Sequence, residues 1–170
     1  MRVEEEVSEA VAGELCDILV AANIRFWVAG GWGVDALVGR RTRRHRDLDL
    51  LVDADHEAPT LTVLNQLGYL IETDWRPVRV ELGRSGGGYV DVHPVVFDLA
   101  GNGVQAGLGN TVYRYPTNVF TTGRIGGRAI GCVTVGKQLE AHQGYPARPQ
   151  DRHDVALLHS LLAALVIKQP

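Results

Sequence analysis

The chain has 170 residues, 45% of them hydrophobic and 22% charged, and a formal net charge of −3 at pH 7. Such a chain is long enough to bury the core of one globular domain, and the net negative charge argues against a nucleic-acid partner. Two cysteines are too few for a disulfide framework and fit a reducing compartment. Since the sequence has neither an apolar signal core nor a bilayer-length apolar run, we expect a cytoplasmic protein without a membrane partner.

Hydrophobic periodicity and turn residues predict one α+β domain over residues 1–170, with a core over 24–98 and a C-terminal hairpin and helices over 119–167 that complete the substrate side. Helices are expected over 4–22, 32–38, 56–67, 137–143 and 151–166, the last capped by Asp151 and packed through Val155, Leu158, Leu162 and Leu165. Strands are expected over 24–29, 47–52, 69–72, 78–82 and 89–97, with a hairpin over 121–133. Residues 99–118, rich in Gly and Asn, are expected to form a long loop with little regular structure.

Gly30 and Gly31 end the first predicted strand, immediately before a short predicted helix. Glycine permits positive φ and lets a ligand approach the backbone, and the free N–H groups of a helix N-terminus attract anions. A plain strand-to-helix turn is the alternative, and only the neighbouring residues favour an anion site. Those neighbours are five arginines, at positions 40, 41, 43, 44 and 46, and we call residues 40–46 the arginine segment. The segment therefore favours a polyphosphate ligand.

Asp47 and Asp49 lie two residues apart on the second predicted strand. Their side chains therefore share one face, whereas Leu48 and Leu50 point to the core. Carboxylates on a mostly buried strand need a cation, and Mg²⁺ commonly binds one or two carboxylates together with substrate phosphates. The alternative is a pair of solvated carboxylates on an edge strand.

Asp91 is the candidate for a third carboxylate. It shares one face of a later predicted strand with Tyr89 and His93. A third carboxylate completes a two-metal site, or acts as a base toward an attacking hydroxyl. The alternative is a lone surface aspartate, and the earlier aspartate pair is the reason for preferring the catalytic interpretation.

These segments together resemble a known family, the antibiotic nucleotidyltransferases of the polymerase-β-like superfamily. The similarity is greatest to the small, single-domain lincosamide nucleotidyltransferases and runs from about residue 24 to 158. It rests on Gly-Gly-Trp-Gly-Val-Asp at 30–35, the Arg43-x-His45-x-Asp47-x-Asp49 pattern, Tyr-Val-Asp-Val-His-Pro at 89–94, and later segments at 67–69, 74–75, 138–145 and 151–154.

The resemblance implies a mixed, twisted sheet flanked by helices, with the metal-binding carboxylates on adjacent antiparallel strands. It implies transfer of a nucleoside monophosphate, usually AMP, from an Mg²⁺-bound NTP such as ATP to a hydroxyl of a small antibiotic, with two Mg²⁺ ions and release of pyrophosphate. Family members of this size also suggest a homodimer. Three alternatives stay open: an aminoglycoside or another small metabolite as acceptor, a tRNA or protein target, and a non-catalytic nucleotide-binding module.

By motif position, the resemblance assigns metal binding and catalysis to Asp47, Asp49 and Asp91. It assigns the nucleotide to Gly30, Gly31, Trp32, Arg43, His45 and Arg46. For His45, a phosphate contact and a buried structural role are both open. Candidates for the acceptor or nucleotide pocket, each with a competing packing role, are Tyr89, His93, Gln138, His142 and Tyr145.

Three departures from the family pattern concern acidic residues. Ala29, Arg44 and the segment 135–137 stand where the family often has an acidic side chain. These departures leave the metal site intact. They bear on the acceptor, because acidic side chains would help to bind a cationic drug.

Overall fold

The computed structural model describes residues 5–168. The helices are α1 (Glu9–Ala21), α2 (Gly30–Val38), α3 (Glu57–Gln66), α4 (Val135–Ala141) and α5 (Pro149–Ile167). The strands are β1 (Phe26–Ala29), β2 (Asp47–Asp53), β3 (Leu70–Trp75), β4 (Arg79–Arg84), β5 (Gly88–Phe97), β6 (Gly103–Ala106), β7 (Val112–Tyr115), β8 (Phe120–Ile125) and β9 (Arg128–Val133). The predicted helix start at residue 4 and both predicted domain ends lie outside the described residues.

Two of the N-terminal helices begin at places that the sequence did not predict. Helix α1 begins after Ser8, whose hydroxyl accepts a hydrogen bond from the Val11 N–H at 3.2 Å. Helix α2 begins at Gly30, two residues earlier than predicted, and its cap residue Ala29 makes no side-chain capping bond. The two glycines are therefore the first turn of a helix, and no side chain caps that turn.

The main sheet is mixed, with strand order β3-β4-β5-β2-β1-β9-β8. Strand β2 is antiparallel to β1 and parallel to β5, a register that pairs Asp47 with Tyr89 and Asp49 with Asp91. The implied antiparallel arrangement of the carboxylate strands is therefore wrong. The chain leaves β2 through α3 and the β3–β4 pair, so β5 returns beside β2 in the same direction. Strand β2 lies inside the sheet, which excludes the edge-strand alternative.

The apolar side chains form clusters on both faces of the sheet. The largest cluster contains Leu48 and Leu50 of β2, together with residues of α1 and α3. A second cluster packs Leu51 against Tyr115. A third joins α2, α4 and α5 through Val34, Val135 and Leu158. Apolar packing therefore holds α4 and α5 against α2.

The prediction of a long loop over residues 99–118 is wrong. Strands β6 and β7 form a hairpin there, and β6 pairs with the end of β5 at Val96 and Phe97. The glycines and asparagines lower the local strand propensity, but the hydrogen bonds to β5 supply the order that local propensity does not. This hairpin forms one wall of the site described below.

Helix α5 begins at Pro149, and Arg148 is its cap residue. Asp151 is not the N-cap residue that the sequence predicted; it is the third residue of the helix and takes part in a capping box, where its carboxylate accepts the Arg148 backbone N–H at 2.8 Å. The predicted apolar face also ends early, since Leu162 and Leu165 are exposed whereas Leu158 is buried. Within residues 5–168, no helix combines the length and the apolar character needed to cross a membrane.

Candidate active site

The three predicted carboxylates share one face of β2 and β5. Burial raises the pKa of Asp47, and the negative charge of Asp49 raises it further. Burial and then the charge of Asp49 also raise the pKa of Asp91, to about 6, against the opposing effect of Arg79. Both shifts have the same origin, because carboxylates that are close together and poorly solvated repel one another.

Each carboxylate lies within 3.2 Å of a side-chain nitrogen. Asp91 accepts a hydrogen bond of 2.5 Å from the Arg79 guanidinium, and Asp47 accepts one of 3.2 Å from Arg46. The Asp49 carboxylate and the His93 imidazole lie 3.1 Å apart. Between residues 5 and 168, no three His, Cys, Asp or Glu side chains are already grouped as a metal site.

The donor chemistry of this set nevertheless fits a hard divalent cation. All three groups offer carboxylate oxygens, which are the ligands that Mg²⁺ prefers. The raised pKa values of Asp47 and Asp91 indicate negative charge that the neighbouring nitrogens do not fully balance. A divalent cation would relieve this repulsion.

The glycine turn is packed directly against the carboxylates. Gly30 has φ +57°, and a Cβ at this position would collide with the Asp49 carboxylate. A Cβ at Gly31 would collide with the Arg43 guanidinium and would lie 2.6 Å from His45 Nδ1. Only glycine therefore lets this turn approach both the aspartates and the arginine segment.

Trp32 and His45 are buried. Trp32 has only 1% of its surface exposed, and its ring lies 4.5 Å from the His45 ring. His45 Nε2 lies 2.6 Å from the buried Asp35 carboxylate. This placement corresponds to the structural alternative for His45, and the backbone of Trp32, rather than its ring, belongs to the uncapped turn.

A cleft of about 660 Å³ lies over this turn, between the arginine segment, α4 and α5. We call it the arginine cleft. Arg43 in its wall donates two hydrogen bonds to Asp154 of α5, of 2.8 and 2.7 Å. Arg46 bonds Glu81 at 3.1 Å and covers the Tyr89 ring at 3.8 Å. The polar and charged residues of the arginine cleft are Arg43, Arg44, Arg46, Asp47, Asp49, Tyr115, Lys137, Gln138, His142, Tyr145, Arg148, Gln150, Asp151 and Asp154.

A second cavity, of about 420 Å³, opens on the other side of Asp49. We call it the aromatic cavity. Tyr115 donates a hydrogen bond of 2.7 Å to Gln105, whose amide nitrogen lies 3.4 Å from His93. Its walls are Ala29, Gly30, Asp49, Leu51, Trp75, Val78, Arg79, His93, Gln105, Gly107, Leu108, Thr111, Tyr113, Tyr115 and Ala141. Both cavities are lined by Ala29, Gly30, Asp49, Leu51, Tyr115 and Ala141, so they meet at the glycine turn and Asp49.

The five pocket candidates divide between these cavities. His93 lines the aromatic cavity, and His142 and Tyr145 line the arginine cleft. Gln138 also lines the arginine cleft, but it is 1% exposed and donates a hydrogen bond of 3.2 Å to the Gly30 carbonyl. Tyr89 lines neither cavity and lies beneath Arg46 at the start of β5.

Sequence reasoning missed four charged residues of the site, namely Arg79, Lys137, Arg148 and Asp154. Lys137 is 6% exposed and donates to the Arg114 carbonyl at 2.7 Å and to Glu140 at 2.9 Å. Asp154 could have been identified from the sequence, because it lies in 151–154, the last of the segments that resemble the antibiotic nucleotidyltransferases. The ion pairs of Arg79 and Arg148, by contrast, depend on strand pairing and on the helix start.

A protein family and several known proteins are similar in sequence to this chain. The family model of the aminoglycoside-2''-adenylyltransferases matches residues 12–158. The chain is 34% identical over 155 residues to the lincosamide resistance protein of Staphylococcus haemolyticus, which covers 91% of this chain and 96% of that protein. It is 39% identical over 54 residues to the 2''-aminoglycoside nucleotidyltransferase of Escherichia coli, 30% of each chain.

Solved structures of similar fold also superpose on this chain. The lincomycin-bound lincosamide antibiotic adenylyltransferase LnuA superposes with a TM-score of 0.85 at 33% identity, over 92% of this chain and 99% of that one. ANT(2'')-Ia in complex with adenylyl-2''-tobramycin superposes with a TM-score of 0.72 at 18% identity, over 94% and 92%, a likeness of fold alone.

The fold and the matched sequences define a nucleotidyltransferase. Because the family model spans most of the chain and the staphylococcal relative nearly all of it, the chain belongs to the aminoglycoside-2''-adenylyltransferase family. The resemblance inferred from the sequence motifs is thereby confirmed.

Proposed function

We propose that this enzyme inactivates a lincosamide antibiotic by transferring AMP from ATP to a hydroxyl of the drug, with release of pyrophosphate. The observation that carries this proposal is the junction of the two cavities at Gly30 and Asp49. A nucleotide in the arginine cleft and an acceptor in the aromatic cavity would bring the α-phosphorus and the hydroxyl together beside the carboxylates.

The arginine cleft suits a triphosphate. The uncapped first turn of α2 offers backbone N–H groups, and Arg43 and Arg46 contribute fixed positive charge. Donors fixed in this way would also stabilise the negative charge that develops on pyrophosphate as the bond to the α-phosphorus breaks. Lys137 and Arg148 extend the basic wall toward α4 and α5.

Asp47, Asp49 and Asp91 would hold Mg²⁺, which would supply charge neutralisation and a lowered pKa for the acceptor hydroxyl. His93 orients Asp49 from the acceptor side, and Arg79 orients Asp91. Asp91, held by Arg79, would either share the metal ion or act as the base toward the acceptor hydroxyl.

The walls of the aromatic cavity favour a lincosamide as the acceptor. Trp75, Leu108, Tyr113 and Tyr115 offer apolar contact, and Asp49 is the only acidic side chain among the lining residues. An aminoglycoside carries several ammonium groups that this cavity would leave without carboxylate partners. The lincosamide relative, similar over nearly its whole length, supports the same acceptor.

An aminoglycoside is the second candidate acceptor. The family model and the 54-residue similarity to the Escherichia coli enzyme favour it. Mass spectrometry after incubation with ATP, Mg²⁺ and a panel of both drug classes separates the two. We expect an AMP adduct on lincosamides; adducts on aminoglycosides alone would overturn the proposed acceptor, and no adduct with either class would overturn the activity.

A homodimer in the cytoplasm completes the proposal. A partner subunit would close the open side of the aromatic cavity, where Trp75, Leu108 and Tyr113 are each more than 40% exposed in one chain. Sedimentation equilibrium tests this state, and a monomer at micromolar concentration would contradict it.

A further inference from the structure

A buried carboxylate next to the arginine cleft has no part in the proposed reaction. Asp35 lies inside α2 and is 1% exposed. Burial would raise the pKa of Asp35, but hydrogen bonds from His45 and Thr42 outweigh this effect and hold the pKa below its ordinary value. Asp35 is therefore an ionised group inside the protein, which is costly unless its partners are fixed.

All of its side-chain partners belong to the segment between α2 and β2. The Thr42 backbone N–H donates to Asp35 at 2.9 Å, and the Thr42 hydroxyl donates at 2.5 Å. His45 Nε2 lies 2.6 Å from Asp35 Oδ2, the oxygen that also accepts the Thr42 N–H. The Asp35 carboxylate thus holds Thr42 and His45, the residues on either side of Arg43 and Arg44. We call residues 42–45 the arch.

The arch is also bonded to α5. The only proton of the Thr42 hydroxyl is donated to Asp35, so His153 Nε2, at 3.0 Å, must donate to that hydroxyl. The adjacent residue Asp154 holds the Arg43 guanidinium with two hydrogen bonds. The direction of Arg43 is therefore set by Asp35 through the backbone and by Asp154 through the side chain.

The same carboxylate supports the glycine turn. His45, held by Asp35 through Nε2, presents Nδ1 to Gly31, where a Cβ would lie 2.6 Å away. The Arg43 guanidinium lies against the same residue, Gly31, where an added Cβ would collide with it. The glycine turn and Arg43, which both line the arginine cleft, are thus held in place by residues that Asp35 binds.

We propose that Asp35 is a positioning residue for the triphosphate, acting through His45 and Thr42. The inference rests on the proposed function, because it assumes that phosphate binds in the arginine cleft. Asp35→Asn keeps the size of the side chain but replaces one acceptor oxygen by a donor that faces either Thr42 or His45. Thr42→Val removes the hydroxyl and keeps the shape.

The test is calorimetric titration of ATP, pyrophosphate and a lincosamide into wild-type protein and both variants, with Mg²⁺ present. We expect Asp35→Asn to raise the Kd of ATP and of pyrophosphate by about tenfold, and Thr42→Val by a smaller factor, with the lincosamide Kd within about twofold of wild type. Asp17→Asn is the matched control, since Asp17 forms an exposed pair with Arg128.

An unchanged Kd for ATP and pyrophosphate in Thr42→Val and in folded Asp35→Asn would overturn the inference. An equal loss for the lincosamide would also overturn it, because a general loss of folded protein would weaken every ligand alike. If Asp35→Asn does not fold, Thr42→Val alone decides. A wild-type protein that binds ATP but transfers no AMP would refute the proposed function while leaving the comparison of ATP affinities valid.

Discussion

The Arg43 guanidinium and the Asp154 carboxylate lie 111 positions apart in the sequence and form two hydrogen bonds, of 2.8 and 2.7 Å. Asp154 is 2% exposed in its side chain and Arg43 is 22% exposed, so most of this pair is shielded from water. The pair joins the C-terminal helix to the arginine segment. It therefore couples the docking of α5 to the shape of the arginine cleft.

Asp154→Asn should lower both stability and nucleotide binding. Removing one partner of a buried ion pair leaves the other charge without compensation, which costs about 3 kcal/mol. Urea unfolding measures this loss, and the KM for ATP should rise together with it. In Asp17→Asn, which breaks an exposed pair, we expect a change below about 1 kcal/mol. Equal losses in the two variants would contradict the argument.

Gly30→Ala should abolish turnover beyond its effect on stability. The substitution places a Cβ at φ +57° and against the Asp49 carboxylate. Gly39→Ala is the matched control, since Gly39 has φ +86° and nothing within 4 Å of the added Cβ. Both variants carry left-handed strain of roughly 1 kcal/mol, but only Gly30→Ala displaces Asp49. Pyrophosphate release should therefore be lost in Gly30→Ala alone; equal activity of the two variants would contradict this account.

Trp75→Ala should weaken the acceptor and spare the nucleotide. Trp75 lines the aromatic cavity, and its ring lies 4.9 Å from the Arg79 guanidinium. Losing an aromatic contact should raise the KM for the lincosamide about tenfold, with the KM for ATP unchanged. Leu70→Ala, on the same strand and outside the cavity, is the control. A rise in the KM for ATP instead would place the acceptor elsewhere.

The Arg148–Asp151 pair should make stability depend on acidity. The hydrogen bond from the Arg148 side chain is the main cause that holds the pKa of Asp151 far below its usual range. A carboxyl whose pKa is lower in the folded state stabilises the fold above its unfolded pKa, about 4, and loses this contribution as pH falls toward the folded pKa. Wild type should thus be more stable than Asp151→Asn at pH 7, and the difference should shrink steadily below pH 4. A difference that is constant from pH 7 to pH 3 would be the contrary result in urea unfolding.

Residue spacing was sufficient to predict that the three carboxylates lie on one face of the sheet. The alternation along β2 places Asp47 and Asp49 together, and the same alternation along β5 puts the buried Asp91 on their face of the sheet. The direction of β5 was beyond local reasoning, because it depends on how the chain crosses from β2 through three other elements. The implied antiparallel pairing failed for this reason.

The aromatic cavity was harder to predict because its contacts span long distances in sequence. The aromatic cavity needs the β6–β7 hairpin, whose order depends on pairing with β5. The alternating residues Val112 to Tyr115 were a usable strand signal, but the surrounding glycines and asparagines obscured it. The partners of Arg79 and Arg43, in contrast, follow only from the assembled sheet and the docked α5.

We predict that Asp49, at the junction of the two cavities, is essential for nucleotidyl transfer. The most direct test is pyrophosphate release by Asp49→Asn with ATP, Mg²⁺ and a lincosamide, beside Asp53→Asn at the far end of the same strand. We predict a loss of about a hundredfold or more in Asp49→Asn, with the fold intact by circular dichroism, and activity near wild type in Asp53→Asn. Folded Asp49→Asn that releases pyrophosphate within about twofold of the wild-type rate would contradict the account.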